Sequence, residues 1–436
     1  MKNKSILVFY ALCALVPIIF IAVAFFGPEK EIAISLKGPN TFGLDDEKIT
    51  KKYDQLEDKE KKKREKFKKE VEKKWDSYKE STSKTYVSYS KDLNSRTIVD
   101  FEKGEVTIEV IMDEDEGQDG SYNLDLDMDR DIQISRGKNT RKQNIILSIG
   151  TSLVNMTNIF ALQEKEKKDN SARSKDSKTL NSKFTKLLSN IMKEKGDDGQ
   201  PILKDQLVDA KGKAVEGMSN TLDFAKSVVS KQSKKVRMHF SKDGKKRTII
   251  SLKLPLSDDH IAKRRERYKD LIIIEARRFN IPPEIALAIA ETESAFNPKA
   301  KSHVPAYGLM QLVPKTGARD AYQWIYKKDK YVSGRYLYKP KNNVELGCAY
   351  LSMIRHHYFS GIRNDERAYL CAIPAYNTGV GNVSKALIDK RNIKEASKKA
   401  NKMNKKELYD KLYTDLSSKE ARNYLKKVWA RKEKYK

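Results

Sequence analysis

Residues 282–298 read PPEIALAIAETESAFNP. Proline is tolerated at the first position of a helix, so Pro282-Pro283 marks a start. From there Ile285, Ala286, Ile289, Ala290 and Glu293 fall at i, i+1, i+4, i+5 and i+8 and share one stripe. The stripe predicts that Glu293 points toward the core, on the last turn before the break at Asn297-Pro298. Burial disfavours the carboxylate there, and so does the negative end of the helix dipole. A carboxyl group that keeps its proton near neutral pH can protonate a leaving oxygen. Glu291 falls on the opposite side, at about 100° per residue, and reads as solvated. On helical phase alone, a surface carboxylate at a frayed end, or one satisfied by a neighbouring base, fits Glu293 equally well.

Around this helix the pattern from residue 260 onward is helical, broken by Pro and Gly: 261–279, 283–296, 314–327, 342–359, 365–377 and 405–432. Upstream the period is two. Thr97–Phe101 and Val106–Ile111 flank Glu102-Lys103-Gly104, and Val236–Phe240 and 247–254 flank Asp243-Gly244. Each pair predicts a hairpin. An acidic loop follows around Asp113–Asp119, 143–162 reads as a helix, and 164–182 as a linker. Residues 45–80 are dense in Lys and Glu, with Phe67, Val71 and Trp75 four residues apart on one helical face. The expected fold class is therefore α+β: an N-terminal membrane segment (1–27), a charged helical stalk (28–80), a mixed α/β domain (81–258) and an all-α domain (259–436).

The 436 residues carry 88 Lys+Arg against 60 Asp+Glu, a formal charge of +28. That charge suits an anionic polymer, anionic lipid or nucleic acid. No zinc-finger spacing or aromatic ribonucleoprotein box accompanies it, so nucleic acid is not expected as a partner. Ile6–Phe26 carries no charge and follows the basic MKNKS. It is long enough to span a bilayer. An uncleaved anchor, a signal cleaved after Ala22-Val23-Ala24, and lipidation at Cys13 are the readings, in that order. Each exports the rest of the chain, which makes the cell wall the natural acidic neighbour. Cys348 and Cys371 read as small buried residues rather than a disulfide. No cluster suggests a metal or cofactor.

Three further motifs follow the helix in order: Gly308-Leu309-Met310-Gln311, Ala375-Tyr376-Asn377 and Glu420-Ala421-Arg422-Asn423-Tyr424. Together with Glu293-Ser294 they resemble the lytic murein transglycosylases with a soluble-transglycosylase, lysozyme-like catalytic domain. Residues 85–112, 200–231 and 236–256 resemble the amino-terminal domain of a membrane-bound branch of that family. The resemblance implies a lysozyme-like helical domain and peptidoglycan glycan strands as substrate. It implies cleavage of the β-1,4 bond between N-acetylmuramic acid and N-acetylglucosamine, with a 1,6-anhydro product and no cofactor. It assigns Glu293 as acid and base, with Ser302, Met310, Gln311, Tyr376, Asn377 and Tyr424 as substrate-binding or cleft residues, and Tyr307, next to the Gly308–Gln311 segment, is expected to join them. Combined with the exported N-terminus, it places the enzyme in the cell envelope, periplasm-facing, with residues 6–26 at a membrane, although the lipoprotein signal usual in that membrane-bound branch is not found. Tyr307, Pro374 and Thr378 depart from the family pattern, and a kink is expected at Pro374. A lysozyme-like hydrolase would need a second carboxylate, for which Asp320, Glu345 and Glu366 are the candidates. A wall-binding scaffold without turnover is the third reading.

Overall fold

The computed structural model describes residues 45–113, 178–207, 215 and 218–436. The expectations for residues 6–26, for the acidic loop beyond Asp113 and for a helix over 143–162 fall outside them. Among the described residues no helix is long and apolar enough to cross a membrane.

Both expected hairpins form. The strands are β1 (Thr85–Tyr89), β2 (Ser95–Asp100), β3 (Glu105–Asp113), β4 (Lys234–Phe240) and β5 (Lys246–Pro255). They make one antiparallel sheet in the order β1-β2-β3-β5-β4. The seam between the hairpins pairs Val106 with Leu254, Ile108 with Leu252 and Val110 with Ile250. Because strand side chains alternate, these six face one side. There they meet Leu180, Phe184, Leu188 and Ile191 of α2 (helical over 178–193) and Ala225 and Val229 of α3 (Met218–Lys231). The opposite face carries Ile111 and Ile249, covered by Val71 and Trp75.

Val71 closes α1 (Asp45–Glu72), and Trp75 follows it. The helix is present as expected, yet it is no free stalk. Tyr53 is buried; its hydroxyl accepts from the Val332 N–H at 2.8 Å and donates to the Lys330 carbonyl at 3.4 Å. Glu60 accepts from the Tyr307 hydroxyl and pairs with Lys301. The many charges of α1 are therefore partly spent on the helical half.

That half runs α4 (His260–Arg278), α5 (Pro283–Ser294), a wide turn at Pro314–Ala318, α6 (Arg319–Tyr326), α7 (Gly334–Leu337) and α8 (Pro340–Ser352). A second wide turn, Met353–Tyr358, leads to α9 (Asp365–Thr378), α10 (Val380–Ile388) and α11 (Ile393–Asn401). Then come α12 (Lys405–Asp415), α13 (Lys419–Arg431) and a tight turn at Lys432–Tyr435. The expected helix over 405–432 is two: Leu416 is extended, and the Ser418 hydroxyl caps α13. α9 continues through Pro374 to Gly379, whose φ of 86° ends it. Cys348 and Cys371 are buried free thiols in this core.

α5 lies at the centre, buried on every side from Ile285 to Thr292 rather than along a stripe. Its end is tied to the sheet half by Arg264 of α4, which is fully buried. The Arg264 guanidinium donates to the carbonyls of Ala295 (2.9 Å) and Phe101 (2.6 Å) and to the Gln206 side chain. Burial without a facing carboxylate pulls its pKa down to about 9.

Candidate active site

From Ile285 to Pro298 every residue is buried except Glu293, which is half-buried. The surrounding chain locks its position. Ala295 and Phe296 both take left-handed φ, 50° and 59°, and turn the backbone sharply after the helix. Ser294 Oγ lies 3.0 Å from the Ala290 carbonyl and 2.7 Å from that of Leu309, tying the last turn of α5 to the Gly308–Gln311 loop. Glu293 is thus the one partly exposed residue in the buried run from Ile285 to Pro298. Burial pushes its carboxyl pKa up to about 8, and the nearby Glu420 carboxylate pushes the same way. The Tyr424 hydroxyl and the more distant Lys84 ammonium pull it back.

The Gly308–Gln311 loop is held from behind by Asn343 of α8, which is fully buried. Its Oδ1 accepts from the Met310 N–H and its Nδ2 donates to the Tyr307 carbonyl, each at 2.7 Å. Gly308 has φ of 75°, and a Cβ there would strike the Leu337 carbonyl and this same amide. Gln311 also takes a left-handed φ, 47°. Its Nε2 donates to the Gly308 carbonyl at 3.0 Å, while its buried Oε1 has no partner among the described residues.

Tyr376 and Tyr424 are both buried beside Glu293, whose carboxylate helps hold both phenols well above their usual range. Their hydroxyls do different things. Tyr376 donates to the Met310 carbonyl at 2.9 Å and stacks edge-on against Tyr350, so it braces the loop. The buried Tyr424 hydroxyl has no partner at hydrogen-bond length among the described residues and faces Glu293. Tyr424, not Tyr376, is placed to tune the acid. Asn377 donates from Nδ2 to Glu420 Oε1 at 3.3 Å.

The other expected site residues are placed differently. Ser302 turns its hydroxyl onto its own loop, donating to the Val304 carbonyl and accepting from the Ala306 N–H at 3.2 Å. Tyr307 is a peg between α1 and the helical half: its hydroxyl donates to Glu60 at 3.1 Å and its ring meets Tyr338 edge-on. Met310 is fully buried, so it backs the cleft wall instead of lining it. Among the proposed second carboxylates, Glu345 is taken by Arg278 and the Tyr326 hydroxyl, and Glu366 by Lys405. Asp320 is pushed up to about 6 by burial, but the charges it answers to are Arg319 and Asp329. The carboxylate that reaches Glu293 is Glu420, which the sequence reading passed over in favour of Tyr424. It also passed over Asn343, whose signal was an amide on the same helix face as Leu346, Gly347 and Tyr350. Glu291 is corrected as well: it is 3% exposed and ion-paired to Arg431.

With this geometry in place, the likeness to known proteins has a physical basis. Residues 270–427 match the family described as the transglycosylase SLT domain. The match falls within the helical half. Residues 49–120 match a second family, the N-terminal domain of membrane-bound lytic murein transglycosylase C. The chain is 35% identical over 229 residues to the membrane-bound lytic murein transglycosylase C of Histophilus somni (strain 2336), covering 52% of this chain and 61% of that protein. The protein of the same name from Haemophilus ducreyi is 34% identical over 240 residues, 54% of this chain and 62% of its own length. The chain thus spans less than two-thirds of the length of either relative. A solved lytic transglycosylase Slt from Pseudomonas aeruginosa, an inactive mutant, is 28% identical over 38% of this chain and 24% of its own. Its TM-score is 0.28, too low to carry a structural argument. Glu293, the Gly308–Gln311 loop, Tyr376, Asn377 and Tyr424 all lie inside the first match, and Lys84 lies inside the N-terminal match.

Proposed function

We propose that this protein is a peptidoglycan lytic transglycosylase acting in the cell envelope. It cleaves the β-1,4 bond between N-acetylmuramic acid and N-acetylglucosamine and leaves a 1,6-anhydro-muramoyl end. The observation that carries the reading is Glu293, a carboxyl held up to about 8 on the one partly exposed residue of a buried helix end. At neutral pH it holds a proton for the glycosidic oxygen of the departing N-acetylglucosamine. Once ionised, it faces the Tyr424 hydroxyl, an acceptor's natural partner, and lies within reach of the Lys84 charge. It then takes the proton of the muramic 6-hydroxyl as that oxygen closes on the anomeric carbon, which restores the acid. One residue serves as acid and base, so no second catalytic carboxylate is required. The free Gln311 Oε1 is a ready acceptor for a sugar hydroxyl or amide, and Asn377 and Glu420 offer polar groups at the same rim. Attachment to a membrane through residues 6–26 completes the proposal, supported by their apolar length and by the relatives' description as membrane-bound.

A water-activating hydrolase is the competing chemistry, and Glu420 is the carboxylate it would use. Mass spectrometry of muropeptides from digested sacculi separates the two. Transglycosylation leaves each new muramic end lighter by one water and without a reducing end. Reducing ends would establish hydrolysis, and binding without release of fragments would establish a scaffold.

A further inference from the structure

Two residues before Glu293, Glu291 is gripped by a segment far along the chain. Arg431 Nε lies 3.1 Å from Glu291 Oε1, and Arg431 Nη1 donates to the neighbouring Thr292 Oγ1 at 2.9 Å. Lys434 Nζ sits 3.1 and 3.2 Å from the two carboxylate oxygens. The Tyr435 hydroxyl donates to Oε2. The carboxylate is 3% exposed, so this is a buried ion cluster rather than a surface pair. Arg431 also comes within 3.9 Å of Glu102, in the β2–β3 turn, which in turn holds Lys84 at 2.5 Å. A chain of charges therefore runs from the sheet half, under the last turn of α5, to the far end of α13.

We infer that Glu291 is a positioning residue: with Arg431, Lys434 and Tyr435 it forms a latch that fixes the rotation of the last turn of α5 and sets the field behind Glu293. Three constraints hold that turn from other sides: Ser294 on the loop, Arg264 on the Ala295 carbonyl, and the left-handed bend. The latch adds a second side-chain anchor to that turn, through residues 291 and 292, on the side away from the Ser294 contact. A rotation there swings Glu293 directly, and displacements near 1 Å at a reacting group cost about 100-fold in rate. The charged and titratable groups facing the latch are Arg431, Lys434 and Tyr435, with Arg265 over the Tyr435 ring at 5.8 Å and Glu102 and Lys84 beyond Arg431. Those facing Glu293 are Tyr424, Tyr376, Glu420 and Lys84. Glu291 supplies the negative charge that balances the cations behind the acid.

The inference rests on the proposed reaction for its kinetic test, but not for its physical one. Glu291→Gln keeps the shape and strands Arg431 and Lys434 without their anion, so Glu293 loses its proton at lower pH. The basic limb of the kcat/KM profile moves down, and kcat falls roughly tenfold with KM changed less than about twofold. Arg431→Gln does the reverse to the charge: the limb moves up, and Arg431→Lys restores its position. Lys434→Gln, on a side chain half in solvent, gives a smaller upward shift and cannot endanger folding. Carbon-13 NMR titration of the Glu293 carboxyl reads the same shifts with no substrate present, so an inactive wild-type protein would overturn the reaction and leave the latch testable. Opposite movements for Glu291→Gln and Arg431→Gln support the latch. Titrations that stay in place in all variants, whatever happens to Tm, would show a merely structural contact and overturn it.

Discussion

Glu291 and Glu293 occupy the same turn of α5, on nearly opposite sides. Around Glu291 the fold gathers a guanidinium, an ammonium and a phenol. Around Glu293 it gathers two tyrosines, and the charge that comes nearest is another carboxylate. Glu291 is the more deeply buried of the two, yet it is the one made into an ion pair. Depth alone therefore does not decide the role of each carboxyl. The partners decide, and they arrive from segments more than a hundred residues apart. Two chemically identical groups receive a structural role and a reactive one from their surroundings.

The largest contrast is in turnover. Glu293→Gln should abolish release of anhydro-muropeptides, by at least about a thousandfold given that one group supplies both proton transfers. Glu291→Gln should cost only about tenfold, and equal losses from the two would erase the distinction. The second contrast is in stability, and its sign differs between the sites. Glu293 binds its proton more tightly folded than unfolded, so its ionisation weakens the fold as pH rises from the usual carboxyl range through about 8. Glu293→Gln should therefore raise Tm at pH 9 and change it little at pH 5. Glu291→Gln breaks a buried cluster, which costs about 3–5 kcal/mol, and should lower Tm at both. Differential scanning fluorimetry across that range checks the pair.

Smaller effects sharpen the Glu293 side. Tyr424→Phe removes the hydroxyl that favours the anion, so the Glu293 titration moves up and the step in which it acts as base slows. A rate unchanged at every pH would remove Tyr424 from the mechanism. Lys84→Met withdraws a distant cation and should raise the same titration by less than Tyr424→Phe does. A larger shift from Lys84 would mean that the sheet half governs the acid more than the helical half does.

Local patterns were legible in the sequence, and pairings across the chain were not. The two hairpins announce themselves through alternation and a glycine turn. Nothing local says that β3 and β5 join them into one sheet. The start of α5 and the inward direction of Glu293 could be read from spacing. The helix nonetheless proved to be buried all round, so the stripe was not what singled Glu293 out; its partial exposure was. The same limit explains Glu291: helical phase placed it opposite Glu293 correctly, but the solvent expected there is replaced by residues 431–435. α10 and α11 were missed because nine residues each are too few to establish a clear period, whereas Asn364, Asn392 and Asn404 do cap their helices. The Gly308–Gln311 motif was visible, but its support, the buried Asn343, lies on another helix.

Carbon-13 NMR titration of the Glu293 carboxyl in the unsubstituted protein tests the central claim most directly. An apparent pKa near 8 is the expected result, with the group still protonated at the neutral pH where a sugar oxygen must receive its hydrogen. Titration in the ordinary glutamate range, near 4.5, would mean that the carboxyl at the end of α5 is well solvated and that the proton must come from elsewhere.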